Sequence, residues 1–227
     1  MPCNALAPLR SVGSREPVNA HWPGALVFVL SGPTGAGKTA LMGRLREEEP
    51  EVHYCITATT RPPRPGEQHA LDYYFNTEAE FLRLQSEGEL LEWARIPPPD
   101  GPFYGTPLLQ IRTALDHGRE VFLQVDVQGA KSVRSQIPNA VTIFLKAPDP
   151  EALVRRLALR GTEDPTERDR RLQNARSELA QESNFDYVVV NPDGRLDEAV
   201  ARVREIMRAE RAREEPRSAV LDGDQDQ

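Results

Sequence analysis

A glycine-rich stretch with the sequence SGPTGAGKT directly follows an apolar run, Ala25–Leu30. It places Gly32, Gly37, Lys38 and Thr39 in the spacing Gly-x4-Gly-Lys-Thr, the pattern of a phosphate-binding loop (P-loop). In such a loop the backbone N–H groups cradle phosphates, the lysine reaches the β- and γ-phosphates, and the hydroxyl helps to hold Mg²⁺. A chance glycine turn is the alternative, but the preceding strand-like run favours nucleotide binding. The predicted ATP-binding residues here are Gly32, Pro33, Thr34, Gly35, Ala36, Gly37, Lys38 and Thr39.

A second candidate phosphate site is the proline-rich stretch TTRPPRPGE, which carries Arg61 and Arg64 three residues apart. The prolines stiffen the chain between the two guanidinium groups, and arginine forks bind phosphate in a bidentate manner. Tyr73 and Tyr104 could add phenolic donors, although tyrosines with structural roles are equally common. A solvated proline-rich loop is the alternative reading of this stretch.

Arginines also cluster later in the chain, at Arg155, Arg156, Arg160, Arg168, Arg170 and Arg171. Charge runs of this kind are usually solvated helix faces, so the cluster alone does not indicate anion binding.

Composition narrows the class of protein. The 227 residues are 39% hydrophobic and 28% charged, which is typical of a globular chain with one domain or one domain with lobes. The net charge of −7 argues against general nucleic-acid binding. Two cysteines, Cys3 and Cys55, favour a reducing compartment, and we expect a cytoplasmic protein. No apolar run approaches the ~20 residues that span a membrane.

Strands and helices alternate along most of the chain, which predicts an α/β fold with a parallel sheet, helices on both faces, and the P-loop after the first strand. The predicted strands are Ala25–Leu30, Val121–Val127, Val141–Leu145 and Tyr187–Val190. The predicted helices are Ala40–Glu49, Pro107–Gly118, Pro150–Arg160, Thr166–Glu182 and a last helix with Leu196, Val200, Val203 and Met207 on one face.

Residues 52–110 differ from this pattern, since short β-like pieces alternate there with Pro- and Gly-rich turns. Thr77-x-x-Glu80 predicts a capping box that opens a helix. We therefore expect residues 24–210 to form one domain, with an inserted lobe at about 53–110. We expect residues 1–23 to form a flexible leader and residues 211–227 to form a polar tail.

The chain resembles the guanylate kinase family. The P-loop, TATTRPPRPGE, LDYYF, LLEW, FYGT, VDVQGAKSV, LALRGTE and VVVN occur in the family's order and together cover about residues 24–208. The resemblance implies a P-loop nucleoside monophosphate kinase with a parallel sheet core, a GMP-binding α+β lobe and an arginine-bearing lid region at about residues 156–172. It implies Mg²⁺-dependent transfer of the γ-phosphoryl group of ATP to GMP, with dGMP as a further expected acceptor.

The resemblance also implies roles for individual residues. Lys38, Arg156, Arg160 and Arg171 would be catalytic, Thr39 would hold Mg²⁺, and Asn191 would lie near the adenine. The remaining positions that match the family pattern are expected to bind GMP: Thr57, Arg61, Arg64, Glu67, Tyr73, Glu92, Tyr104, Thr106 and Asp126. Glu92 suits guanine chemically, because a carboxylate can accept from N1–H and the N2 amino group, whereas adenine offers no such pair of donors. For Asn191, a plain turn residue is the alternative.

Two departures from the family pattern stand out. Alternation along Val121–Val127 places Gln124 and Asp126 on one face of the predicted strand, where the family usually has two acids. We hypothesise that Asp126 keeps an essential acidic role near Mg²⁺ or the guanine, while Gln124 lowers activity or relaxes selectivity. The second departure is a longer, proline-rich loop, Ile96–Phe103, before Tyr104.

Two classes of function compete. The leading one is a guanylate kinase that uses ATP and GMP, without nucleic-acid or membrane partners, as a monomer or homodimer. The rival is a guanylate-kinase-like scaffold module that has lost catalysis. Such modules typically have degraded P-loops, whereas Lys38, Thr39, Arg160 and Arg171 are all present here.

Overall fold

The structure is a computed structural model, and it describes residues 20–97, 99–159 and 173–221. Within these residues the strands are β1 (Ala20–Trp22), β2 (Val27–Ser31), β3 (His53–Tyr54), β4 (Ala58–Thr59), β5 (Tyr74–Phe75), β6 (Leu90–Arg95), β7 (Phe103–Pro107), β8 (Val121–Gln124), β9 (Val141–Lys146), β10 (Tyr187–Val190) and β11 (Ala219–Leu221). The helices are α1 (Lys38–Glu48), α2 (Glu78–Ser86), α3 (Leu108–Asp116), α4 (Val127–Gln136), α5 (Pro150–Leu159), α6 (residues 173–179) and α7 (Leu196–Arg211), with a 3-10 turn at Glu182–Asn184.

Strand β2 lies at the centre of a five-stranded parallel sheet in the order β10–β9–β2–β8–β3. All five of its residues are buried, because helices cover both faces of the sheet. Phe28 and Leu30 pack with α1 and α7, while Val27 and Val29 point to the other face and pack with α3 and α4. The predicted α/β fold with helices on both faces is confirmed.

A second sheet, in the order β5–β4–β7–β6, forms the inserted lobe together with α2. Its core is small and aromatic, with Phe81 stacked on Phe103 at a centroid distance of 5.0 Å. The predicted capping box is present, since Thr77 and Glu80 bond to each other's backbone N–H groups. The lobe differs from the predicted 53–110 at its first residues, because β3 pairs with β8 in the central sheet.

Both ends of the described chain join the fold. Strand β1 pairs antiparallel with β11, and Ala219 and Leu221 are buried against the α3 side of the central sheet. Trp22 Nε1 donates a 2.7 Å hydrogen bond to Asp116 Oδ1. The leader and tail predicted as 1–23 and 211–227 therefore contain structured residues at their inner ends.

Two predicted strands differ from the structure. Val121–Val127 ends early, at Gln124, because Asp126 caps the N-terminus of α4, a helix that sequence periodicity did not reveal. Tyr187–Val190 is a strand, but as an edge strand it leaves Val188 and Val190 41% and 42% exposed rather than buried. No helix in the described ranges is both long and apolar enough to cross a membrane.

Candidate active site

The P-loop connects β2 to α1 and is held tightly against its neighbours. Gly32 has φ 134°, and a Cβ at this position would lie 2.0 Å from the Leu145 carbonyl oxygen. Gly37 has φ 100°, and its Cβ would lie 2.3 Å from Asn191 Nδ2. Both positions thus require glycine, for backbone conformation and for space. Helix α1 begins at Lys38, so its positive end faces the loop.

The Lys38 ammonium group folds over the loop that precedes it. Nζ donates hydrogen bonds to the carbonyl oxygens of Gly32 and Pro33, the latter at 3.1 Å. This arrangement keeps the charge at the mouth of the loop, where the P-loop pattern predicts that it meets nucleotide phosphates.

Asn191 and Arg156 support the P-loop from its other side. The buried Asn191 donates from Nδ2 to the Ala36 carbonyl at 2.8 Å. Arg156 donates to the same carbonyl at 3.2 Å and to the Asn191 carbonyl at 2.7 Å, and its Nε bonds Asp193 at 2.8 Å. The hydrogen bonds to Arg155 and Arg156 hold the pKa of the Asp193 carboxyl below its ordinary value.

A cavity of about 460 Å³ opens beside this support and is lined by Gly35, Ala40, Arg156, Asn191 and Pro192. Its position next to the P-loop suits the nucleoside part of a nucleotide whose phosphates lie in the loop. The predicted adenine neighbour Asn191 lines this cavity, while its side-chain amide bonds the loop.

The Arg61–Arg64 stretch is organised by Glu67. The Glu67 carboxylate accepts from the Arg61 guanidinium at 2.9 Å and from the Arg64 backbone N–H at 2.7 Å. The Arg61 hydrogen bond is the main reason that the pKa of Glu67 is lowered. Arg61 also lies 5.2 Å from the Tyr73 ring, and Tyr73 contacts Tyr104 at 6.3 Å. Four residues that we predicted to bind GMP thus adjoin one another: Arg61, Glu67, Tyr73 and Tyr104. The Arg64 side chain is exposed.

Glu92 is a buried carboxyl, only 7% exposed, on strand β6. Its Oε1 accepts from the Thr106 hydroxyl at 2.7 Å, across the β6–β7 ladder. Its Oε2 faces Gly129, where an added Cβ would lie 2.8 Å away. The pKa of Glu92 is raised to about 7, mainly by burial; the Thr106 hydrogen bonds oppose the rise, and the charge of Asp126 adds to it.

Asp126 lies between the end of β8 and the start of α4. Its Oδ1 accepts from the Gly129 N–H at 2.6 Å and so caps α4, which places its charge close enough to Glu92 to affect that pKa. Gln124 ends β8, in register with Leu30 of β2. Of the other predicted residues, Thr57 precedes β4 and is half-buried, whereas Arg160 and Arg171 lie outside the described residues.

Sequence reasoning missed one acid at the P-loop. The Glu178 carboxyl, on α6, is close enough to the P-loop for Lys38 and the Thr34 backbone to affect its pKa. Burial raises the pKa of Glu178, and Lys38 and Thr34 lower it in part. No local pattern could have identified this residue, because its partners lie some 140 positions earlier in the chain. Within the ranges that the structure describes, no three acidic, His or Cys side chains form a metal cage.

A parallel sheet with a P-loop after its central strand, and a lobe that carries the Arg61–Arg64 stretch, is the architecture of a P-loop phosphotransferase of the nucleotide kinase class. A model of the guanylate kinase family matches residues 25–210. The chain belongs to the guanylate kinase family.

Individual relatives agree with the family match. The chain is 45% identical to a guanylate kinase from Synechococcus sp. (strain JA-3-3Ab) over 181 residues, which cover 80% of this chain and 81% of the relative. It is 49% identical to one from Thermobifida fusca (strain YX) over 163 residues, covering 72% and 82%. The crystal structure of guanylate kinase from Anaplasma phagocytophilum has a TM-score of 0.67 at 31% identity, covering 84% of this chain and 88% of that one.

Proposed function

We infer that this protein transfers the γ-phosphoryl group of ATP to GMP, giving ADP and GDP. This inference rests on the match to the guanylate kinase family over residues 25–210, a range that includes both the P-loop and the buried Glu92–Thr106 pair. The scaffold alternative has no support from the relatives, since those cited above are named guanylate kinases.

On the donor side, the loop from Gly32 to Thr39 would bind the phosphates of ATP. Lys38 would neutralise charge on the β- and γ-phosphates, and its position at the loop mouth supports this role. The main role of Asn191 and Arg156 would be to hold the loop through hydrogen bonds to the Ala36 carbonyl, beside the cavity proposed for adenosine. Arg160 and Arg171 keep the catalytic roles that the family resemblance implies.

On the acceptor side, Arg61, Arg64, Tyr73 and Tyr104 would bind the GMP phosphate. Glu67 supports this by orienting Arg61 and the Arg64 backbone. Glu92, Thr57, Thr106 and Asp126 would line the guanine pocket. Because Glu92 Oε1 is occupied by Thr106, the second oxygen is the one available to guanine donors, and GMP would bind the ionised form of Glu92.

Phosphoryl transfer would then need alignment and charge neutralisation rather than covalent help. An oxygen of the GMP phosphate attacks the γ-phosphorus, and the bond from that phosphorus to the β–γ bridging oxygen breaks as ADP leaves. Positive groups around the loop offset charge on the transferred group.

The residues at the loop fit Mg²⁺ that is held mainly by nucleotide phosphates and water. Thr39 is exposed in the first turn of α1 and offers a hydroxyl, and Mg²⁺ prefers such oxygen ligands. When bound, Mg²⁺ supplies further charge neutralisation at the phosphates. A cytoplasmic location, a monomeric or homodimeric state and the use of dGMP remain proposals.

A coupled assay of ADP release tests the function, with ATP, Mg²⁺ and either GMP, dGMP, AMP, CMP or UMP. We expect turnover with the guanine nucleotides alone. GMP binding without turnover would instead indicate a scaffold module, and equal turnover with AMP would contradict the role of Glu92.

Lys38→Ala tests the donor site. We expect kcat to fall by at least roughly 100-fold, because a preorganised cation at the phosphates is lost, while GMP affinity is unchanged. Substantial remaining activity would contradict the role given to Lys38.

A further inference from the structure

Gly129 is a buried glycine in the first turn of helix α4. Its φ is not positive, so the backbone conformation does not require glycine at this position. Glycine weakens a helix relative to alanine, because it loses more conformational freedom when the helix forms. The helix itself would thus be better served by alanine, and the reason for glycine lies in the space around it.

The space that a Cβ on Gly129 would occupy is bounded by three neighbouring atoms. The Cβ would lie 2.8 Å from Oε2 of Glu92, 3.0 Å from the Cβ of Val125 and 3.1 Å from Oδ1 of Asp126. Ordinary van der Waals contacts of a Cβ are 3.4–4 Å long, so all three distances are too short. The missing side chain therefore allows the Glu92 carboxylate to lie against the first turn of α4.

Helix α4 and strand β6 are packed too closely to move apart for a methyl group. Leu91, the neighbour of Glu92 on β6, is fully buried in one apolar cluster with Ala130 and Val133 of α4. At the far end of the helix, Gln136 Nε2 donates a hydrogen bond to the Leu91 carbonyl. A methyl group on the glycine would therefore displace the side-chain carboxylate of Glu92 rather than the backbone.

A small displacement of this carboxylate affects the atom proposed to recognise the base. Oε1 of Glu92 accepts from the Thr106 hydroxyl at 2.7 Å, and Oε2 is the oxygen that faces Gly129 and is available to guanine donors. An ordinary contact with a methyl group requires Oε2 to move by at least about 0.6 Å. A shift of this size weakens hydrogen bonds to a planar base, whose donors have fixed positions.

We propose that Gly129 is a positioning residue for guanine recognition: because it has no side chain, the Glu92 carboxylate can take the place from which it binds GMP. This inference rests on the proposed function, in which Glu92 recognises guanine. Gly129 acts through Glu92 and not on the nucleotide directly, so its effect is confined to the acceptor site.

The test compares Gly129→Ala with the wild-type protein by steady-state kinetics with ATP, Mg²⁺ and GMP. We expect KM for GMP to rise and kcat/KM for GMP to fall by about 10-fold or more, while KM for ATP is unchanged. Gly43→Ala is the matched control, since Gly43 is an exposed glycine of α1 with no atom within 4 Å of its Cβ position. It should leave both KM values unchanged.

Glu92→Asp distinguishes a contact with the carboxylate from a general disturbance of α4. Aspartate is shorter by one methylene, so its carboxylate lies farther from Gly129 and leaves room for a methyl group. Glu92→Asp alone should lower kcat/KM for GMP. Gly129→Ala added to Glu92→Asp should lower it by less than about twofold more, because the two residues no longer compete for the same space.

An unchanged kcat/KM for GMP in Gly129→Ala would overturn the proposal. A 10-fold loss that persists in the Glu92→Asp background would also overturn it, because the methyl group would then act through Val125 or the helix. If Gly129→Ala does not fold, urea unfolding of the double variant decides. A folded double variant supports a clash with the Glu92 carboxylate, and an unfolded one contradicts it if Glu92→Asp alone folds.

Glu92→Gln tests the underlying function separately. If KM for GMP is unchanged in that variant, the proposed role of Glu92 in guanine recognition is wrong, whatever Gly129→Ala does. If KM for GMP rises in Glu92→Gln but not in Gly129→Ala, the proposed function stands and only the role of Gly129 is wrong.

Discussion

At the scale of single residues, the most informative group is Glu92. A carboxyl that is 7% exposed would normally be neutral or paired with a cation, yet its hydrogen-bond partner here is the hydroxyl of Thr106. The pKa of about 7 means that ionisation of this group opposes folding, by about 3 kcal/mol relative to an ordinary glutamate. The guanine site proposed above would therefore use a charge that reduces the stability of the protein.

The first prediction concerns Glu92→Gln. We expect KM for GMP to rise by roughly 100-fold or more, because the amide presents a donor to the donors of guanine. We also expect the variant to be more stable than the wild type at pH 8, with the difference shrinking as the pH falls through 7 and nearly gone at pH 4, below the ordinary glutamate pKa of 4.5, where the carboxyl is mostly protonated in the folded and the unfolded chain alike. Steady-state kinetics and urea unfolding at both pH values measure these effects, and a variant that is less stable at pH 8 would contradict the assignment.

The second prediction concerns the pH dependence of GMP affinity. In the proposed guanine site the ionised form of Glu92 binds the base, and the pKa of Glu92 is raised to about 7, so GMP affinity should rise as pH increases through 7. The GMP phosphate itself titrates near pH ~6. The pH profile of GMP affinity measured for Glu92→Gln is therefore subtracted from that of the wild type, and the midpoint is read from the difference.

Two variants should move this midpoint in opposite directions. Thr106→Val removes the hydrogen bond that stabilises the charge and should shift the midpoint to higher pH. Asp126→Asn removes a neighbouring charge and should shift it to lower pH. Calorimetric titration of GMP from pH 5.5 to 8.5 measures both shifts, and shifts of the same sign would refute this account of Glu92.

At the scale of elements, the β2–loop–α1 unit owes its shape to two glycines with positive φ. Gly32 approaches the backbone of β9, and Gly37 approaches Asn191 at the end of β10. The loop is therefore held by the two strands on one side of β2, and local sequence alone does not provide that support.

The third prediction compares two glycine substitutions. Gly32→Ala should destabilise the protein by at least about 2 kcal/mol and abolish ATP binding, because its Cβ would overlap the Leu145 carbonyl at a positive φ. Gly43→Ala is the control: Gly43 lies on α1 with open space around it, and alanine should stabilise the helix by about 0.5–1 kcal/mol. Thermal unfolding and ATP titration distinguish the two, and equal stability would show that the loop tolerates a side chain.

At the scale of the whole molecule, the two ends of the described chain meet on the central sheet. Strands β1 and β11 pair with each other, and Glu210, which is fully buried, accepts from Tyr187 at 2.6 Å and pairs with Arg217 at 3.2 Å. The segment after α7 is thus part of the packed core, although its composition is polar.

The fourth prediction follows from this packing. Leu221→Ala should cost about 2–4 kcal/mol of unfolding free energy, because Leu221 is 2% exposed in the core formed with α3 and α4. Leu82→Ala, at a position 43% exposed on α2, should cost less than about 1 kcal/mol. Equilibrium unfolding in urea measures both, and a negligible cost for Leu221→Ala would show that β11 is not needed for stability.

The sequence by itself determined the features that depend on short spacing. Glycine, lysine and threonine within eight residues specify the P-loop, apolar runs between helical patterns specify the parallel sheet, and Thr77 with Glu80 specifies the start of α2. The tertiary structure alone decided what depends on distant partners: the raised pKa of Glu92, the amide of Asn191 on the Ala36 carbonyl, and the raised pKa of Glu178 near the P-loop. The physical reason is that burial and electrostatic environment are set by groups that the fold brings together across the chain, whereas the positions of a glycine loop that need positive φ are marked in the sequence by the glycines themselves.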